Sequence, residues 1–424
     1  MNRFVSDSAW IFTATFLDKI CNLLIQAYLV RKLGIDSYGI YAAMCALGLL
    51  ASTSLVWRSG EIAIQALESS SDGQKKEEQS QTLAFLVAYD MRLLGAGALI
   101  LAPVLWLTAP LFNVDRMAWM LSGLCLVNIG HAAIRGIQTV QNRFFHMALH
   151  AIVSTITQVF LIIICASKWG AEGAVYGLLL SNFAKTIAGA IIEKFCAHTP
   201  LPSADAVIRE IFSLSRAGRP IGSCSSSLLR GMLQQVIANG DTLAISIVST
   251  SATVGLYKVA RAGASVASTM ISPIISVLRG RIVTAWSECN RQRLNKLMSY
   301  TLILCLAGML VAIISSPAAA YIIAPASFGN ELIVASILIG VGLVLYQGFN
   351  TIHLVFAILS RDEKTSIYLQ IIMAALLLSM IFLTGHLGLK AVALATTMVY
   401  LAGTVIFARY SYASILSRKQ EEPL

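Results

Sequence analysis

Residues 6–30 read SDSAWIFTATFLDKICNLLIQAYLV, an apolar stretch of membrane-spanning length with Asp18 and Lys19 at its centre. About 20 residues at a 1.5 Å rise cross roughly 30 Å of hydrocarbon, so the length predicts a transmembrane helix. A charge at mid-bilayer costs about 2.5–3.5 kcal/mol, so such residues persist where they face protein or a wet path. The stretch is too long for the 7–15-residue core of a cleavable signal and has one early basic residue, Arg3. It is expected to remain as the first span.

Eleven further stretches lie at 37–57, 83–108, 117–138, 147–167, 171–193, 220–247, 253–278, 298–322, 332–357, 366–384 and 388–409. The composition agrees: 57% hydrophobic, 12% charged, mean hydropathy +0.75. The fold class predicted is all-α integral membrane with about twelve transmembrane helices. With both termini cytoplasmic, 20 Lys/Arg fall on the inner side, five outside and six within spans. That positive-inside bias sets the topology and accounts for most of the +10 net charge without nucleic acid.

The eight cysteines are scattered without a C-x-x-C pair, and no phosphate-binding loop or hydrolase motif is present. No cofactor, metal or catalytic residue is expected. The run SSSDGQKKEEQSQ at 69–81 reads as a solvated loop.

Residues 39–53, GIYAAMCALGLLAST, match 255–269, GLYKVARAGASVAST, at an offset of 216. Gly170-x-x-Gly173 matches Gly385-x-x-Gly388 at 215. Chance similarity in a narrow composition is the alternative to duplication. Two matches at nearly one offset favour duplication. Six spans per half make the repeat parallel, giving two six-helix lobes, 1–193 and 220–424, joined by a cytoplasmic linker at 194–219.

Polar residues mark stripes on the spans. Span 7 carries Ser223, Ser227, Arg230, Gln234 and Asp241 within a narrow arc; span 1 carries Thr15, Asp18, Asn22 and Gln26. Asp18 and Lys19 point about 100° apart, so each needs a partner on another helix or on a ligand. Lys258 and Arg261 share one side of span 8 with no acid within a turn. A bound anion would resolve that; snorkelling to headgroups is the alternative for Lys258. Span 4 holds Asn128, His131, Arg135 and Gln138, span 10 holds Gln347, Asn350 and His353, and Lys185 stands alone in span 6. Asp90 and Arg92 lie near the inner end of span 3, where snorkelling is expected. More than a turn from the span ends, six cations (Lys19, Arg92, Lys185, Arg230, Lys258, Arg261) face three acids (Asp18, Asp90, Asp241). The excess suits a phosphate or carboxylate cargo rather than a cationic one.

The segment LVRKLGIDSYGIYAAMCAL resembles the span 1–2 junction of the polysaccharide-unit flippases, the Wzx-type O-antigen transporters of the multidrug/oligosaccharidyl-lipid/polysaccharide exporter superfamily. NGDTLAISIVSTSATVGLYKVARA resembles their span 7–8 junction, and FGNELIVAS at 328–336 the start of their span 10. The resemblance implies a non-enzymatic flippase of the bacterial inner membrane working by alternating access. Its cargo would be a polyprenyl-pyrophosphate-linked oligosaccharide, with membrane lipid around it and a polysaccharide polymerase and chain-length regulator as partners. It implies a cationic cavity, whose residues here would be Lys19, Lys185, Arg230, Lys258 and Arg261. The coupling or polar path would use Asp18, Asn22, Gln234, Asp241 and His131. A multidrug exporter of the same superfamily should show excess acid in its cavity. An integral-membrane polymerase should show a larger outer loop.

Overall fold

The computed structural model describes residues 2–55, 75–112, 114–125, 134, 138, 143–196, 202–212, 229–360 and 362–417. Asn128, His131, Arg135, Ser223 and Ser227 lie outside these. Every regular element among the described residues is helical. In chain order they are α1 (Asn2–Leu55), α2 (Lys75–Thr108), α3 (Arg116–Cys125), α4 (Phe144–Phe195), α5 (Ala204–Phe212), α6 (Asp241–Val248), α7 (Ser251–Ser287), α8 (Arg291–Ile323), α9 (Asn330–Leu359), α10 (Glu363–Thr384) and α11 (Leu389–Ser417). Among the described residues, 6 helices are long and apolar enough to cross a membrane. Exposed apolar side chains such as Leu99 (81%) and Ile314 (76%) would be costly in water and belong against lipid.

α1 and α4, with 54 and 52 residues, are each far longer than one crossing requires. Each contains two of the stretches read as separate spans, joined through a sharp break. In α1 the break is Gly34 (φ 79, ψ 165); in α4 it is Trp169 and Gly170 (φ 64, ψ −141). Positive φ costs glycine little because it has no Cβ. Gly388, at φ 94, does the same before α11. The backbone thus gives Gly170 the role of Gly388, whereas the sequence match at 215 sets Gly170 against Gly385. The described part of the 69–81 run is not a loop: α2 starts at Lys75. Its KKEEQSQ segment is rich in Lys, Glu and Gln, all good helix formers.

The chain divides into two compact units, one of residues 1–33 and 40–235, the other of residues 34–39 and 236–424. In the first, Leu29, Met44, Leu86, Trp119 and Ile162 are fully buried. α5 packs on α2, where Arg92 donates through Nε to the carbonyl of Ile211 (2.6 Å) and through a terminal nitrogen to that of Glu210. These are last-turn carbonyls that α5 cannot satisfy itself, and a guanidinium there also favours the helix dipole. Arg92 therefore caps a helix instead of snorkelling, and Asp90 is wholly buried. Arg92→Ala should weaken the docking of α5 by roughly 1.5–3 kcal/mol. Trypsin cleavage after the exposed Arg209 of the purified protein in detergent should then accelerate at least fivefold; an unchanged rate would mean α5 is held otherwise.

In the second unit, small residues let helices approach closely. Gly263 of α7 lies against the backbone of Ser316 in α8, and Gly340 of α9 against the Ser316 side chain. His353 is buried between α9, α10 and α11. Its ring stacks on Phe407 at 4.4 Å, meets Tyr410 edge-on at 4.6 Å, and its Nε2 lies 3.0 Å from Ser366 Oγ. It is a packing residue.

Candidate functional site

Each unit carries a polar cluster, and the two differ in charge and openness.

The first is built from α1 and the two arms of α4. The break at Trp169–Gly170 turns α4 back on itself, which brings the Thr155–Gln158 level of one arm beside Lys185 of the other. Lys185 Nζ donates to Gln158 Oε1 at 2.7 Å, and Thr155 Oγ1 donates to Asp18 Oδ1 at 3.1 Å. Asp18 lies near enough to Lys185 for their charges to interact. His150 Nε2 donates to the carbonyl of Lys185 at 2.8 Å, with its ring in the space left by the missing side chain of Gly189. Asn22 Nδ2 is spent on the carbonyl of Asp18, 2.8 Å away. Lys19 reaches Asp18 only at 4.0 Å, between side chains 42% and 36% exposed, a weak pair. Among the described residues, two ammonium groups thus lie in one partly open cluster with a single carboxylate, a surplus of positive charge. An ammonium held by a neutral amide, as Lys185 is, keeps its charge available to an anion.

The sequence shows Lys185 without a partner; tertiary contact supplies Gln158. Gln158, Thr155 and His150 had no place among the candidate residues. The available signal was that all three interrupt an apolar stretch on one arm. A further contact was also missed: Glu193 is buried and accepts from Gln138 Nε2 at 2.8 Å and from Arg143 Nη1 at 3.0 Å. At the end of a span, Glu193 carries no mark in the sequence of being buried. Arg230 is 5% exposed and Gln234 half-buried, in the same unit.

The second cluster surrounds Asp241. A π-helical turn, Val236–Gly240, precedes α6. Such a turn adds a residue to the helical repeat and re-aims the side chains beyond it. Asp241 follows directly, where the same helix continues as α6. Its Oδ1 accepts from the Thr242 backbone N–H (2.6 Å) and hydroxyl (3.2 Å), and its Oδ2 from Tyr257 hydroxyl (2.6 Å). Oδ2 also forms an ion pair with Arg261. Asp241 and Tyr257 are fully buried and Arg261 is 9% exposed. The sequence shows no acid within a turn of Arg261 and calls for an anion there. The structure puts Asp241 in that place, because α6 and α7 fold against each other. This cluster is neutral and closed. Lys258, one turn before Arg261, is half-buried.

Among the described residues no group of His, Cys, Asp and Glu could hold a metal ion.

In fold the chain is similar to an inward-facing multidrug resistance MATE family transporter of the MOP superfamily (TM-score 0.71, 14% identity, 96% of each chain covered). It is also similar to the lipid II flippase MurJ in an inward closed conformation (TM-score 0.64, 16% identity, 98% of this chain and 94% of that one). An outward-facing MATE family transporter gives a TM-score of 0.59 at 14% identity, covering 98% and 96%. At these identities the likeness is one of fold, and the fold is that of a multi-pass membrane protein. No curated protein matches in sequence. The model of one family, described as polysaccharide biosynthesis protein, matches residues 4–280, well over half of the chain, as the span junctions led one to expect. The chain belongs to the polysaccharide biosynthesis protein family.

Proposed function

We propose that this protein is a flippase of the bacterial inner membrane that carries a polyprenyl-pyrophosphate-linked oligosaccharide to the outer leaflet by alternating access. Twelve crossings in two six-helix lobes, 1–193 and 220–424, with the 194–219 linker and both termini cytoplasmic, complete the reading. The observation that carries it is the surplus positive charge of Lys19 and Lys185 over Asp18 in a partly open cluster. Pyrophosphate is the cargo part that such a cluster suits, since an ammonium binds phosphate oxygen as a point charge. Arg230 and Lys258 extend the cationic set, while the prenyl chain stays in lipid. No bond is made or broken. A polymerase and a chain-length regulator would act on the delivered unit. The excess of cations disfavours the reading of a multidrug exporter for cationic compounds.

The direct test is flipping of a labelled lipid-linked sugar in proteoliposomes. Protection of the label from an external reagent should appear only with protein present, and transport of a cationic dye without any lipid-linked sugar would favour the exporter. The topology predicts a fluorescent and phosphatase-inactive fusion after Leu424. High phosphatase activity there would reject it.

Asp18 is the carboxylate proposed for ion coupling, since Asp241 is enclosed by Arg261, Tyr257 and Thr242. Asp18→Asn should abolish the response of flipping to an imposed proton or sodium gradient. An unchanged response would remove Asp18 from coupling.

A further inference from the structure

Span 10 carries polar residues, Asn350 and His353, that neither cluster uses. On α9, Tyr346, Asn350 and His353 follow at steps of four and three and so share one face. On α10, Ser366, Gln370 and Met373 are spaced in the same way, and all three are fully buried. His353 Nε2 lies 3.0 Å from Ser366 Oγ, which fixes the register of the two helices. One turn further from the residue 360–362 connection, Asn350 on α9 and Gln370 on α10 therefore stand at one level.

Contacts on either side bracket that level. Towards the connection it is closed by the His353–Ser366 contact and by Phe407 of α11, stacked on His353 at 4.4 Å. Away from it, Gly403 of α11 lies against both Met373 of α10 and Tyr346 of α9. Tyr346 also packs on Phe407, with ring centroids 5.7 Å apart. Three helices thus enclose a seam with an amide on each of two walls.

The polar atoms in this seam are unusual. Gln370 is fully buried, yet among the described residues neither its amide oxygen nor its amide nitrogen has a hydrogen-bond partner. The same holds for Asn350 Oδ1. Buried polar groups left unpaired are costly, so such atoms point to a bound partner. That partner must accept from the Gln370 N–H groups and donate to two carbonyl oxygens. A metal cation cannot accept, and an inorganic anion without a proton cannot donate. A sugar hydroxyl does both, but a seam walled by Ser366, Gln370 and Met373, each at 0% exposure, does not admit a sugar. Water both donates and accepts, and typically meets two to four polar partners in protein interiors.

We propose that Gln370 and Asn350 seat bound water in a closed seam between α9, α10 and α11. The water joins the two amides, which do not bond each other, and so ties α10 to α9 inside the bilayer.

The test uses the full-length protein in lipid nanodiscs. Brief X-ray exposure splits water into hydroxyl radicals, which oxidise the side chains beside them, methionine to its sulfoxide. Met373 lies one turn from Gln370 and is no more exposed than Met44 and Met298, at 0%, 0% and 1%. It should nevertheless be oxidised at least fivefold faster than either, and Gln370→Leu should bring it down to their rate. Gln370→Leu should also lower the melting temperature by about 2–5 °C, because Asn350 Oδ1 then loses its bridge. Adding Asn350→Leu should recover most of that loss, since no unpaired amide is left. Met373 oxidised as slowly as Met44 and Met298 in the parent protein would overturn the proposal, and that measurement needs no variant. Fast oxidation persisting in Gln370→Leu would overturn it too. So would a higher melting temperature in that variant, the result expected if a dry, unpaired amide has been removed.

Discussion

Arg261→Ala should strip most of the protein from the membrane instead of merely silencing it. The guanidinium is the charge partner of Asp241, which is wholly buried and already takes hydrogen bonds from Thr242 and Tyr257. Those donors reduce the cost of a buried carboxylate but do not neutralise it. Removing one member of a buried pair typically costs about 3–5 kcal/mol, because the other charge stays behind uncompensated. Set against a total stability of roughly 5–15 kcal/mol, that is enough to lower abundance severalfold. Asp241→Asn combined with Arg261→Met removes both charges and should recover much of the protein, since neutral replacement of a buried pair is often tolerated. Quantitative blotting of the membrane fraction reads both results. Arg261→Ala at parental abundance with no surface polysaccharide would instead make Arg261 a cargo contact, the role that the sequence alone suggests for it.

Lys185→Ala should do the opposite, leaving abundance near normal while surface polysaccharide falls by about 10- to 150-fold. Its hydrogen-bond acceptor, Gln158, is neutral, and Asp18 retains Thr155 and the nearby Lys19, so no buried charge is stranded. On the flippase reading the loss is a charge-assisted contact to the proposed cargo, about 1.5–3 kcal/mol, which corresponds to that fold-change. Lys185→Arg should retain more activity if a positive charge is all that is needed, and little if the compact ammonium must fit between Gln158 and the phosphate. The measurement is polysaccharide per unit of membrane protein. Parental output from Lys185→Ala would remove the first cluster from cargo binding.

The contrast between these two cations shows where sequence reading ends. Both look alike along the chain: a basic residue inside an apolar span with no acid one turn away. Helical periodicity relates residues of one helix and is silent about its neighbours. Asp241 and Arg261 sit on different helices, and Gln158 and Lys185 on opposite arms of α4. Which face of each helix meets which depends on breaks at single glycines and on a π turn that re-aims Asp241. None of these has an apolar-pattern signal. Asp90, Arg92 and Glu193 were illegible for the same reason. A charge near a span end is solvated or buried according to the element that packs over it; α5 engages Arg92, and Arg143 engages Glu193.

The sequence by itself determined the helical membrane class, the family and where most of the long apolar helices lie. These rest on hydrophobic run length and local pattern, because in a bilayer the backbone must bond within each segment. Tertiary structure decided which cations are neutralised and which remain available, because that depends on distances between helices remote in sequence. It also showed that glycines 39 and 255 each lie against a backbone carbonyl, of Ser251 and of Ile35, where any side chain would hold the backbones apart.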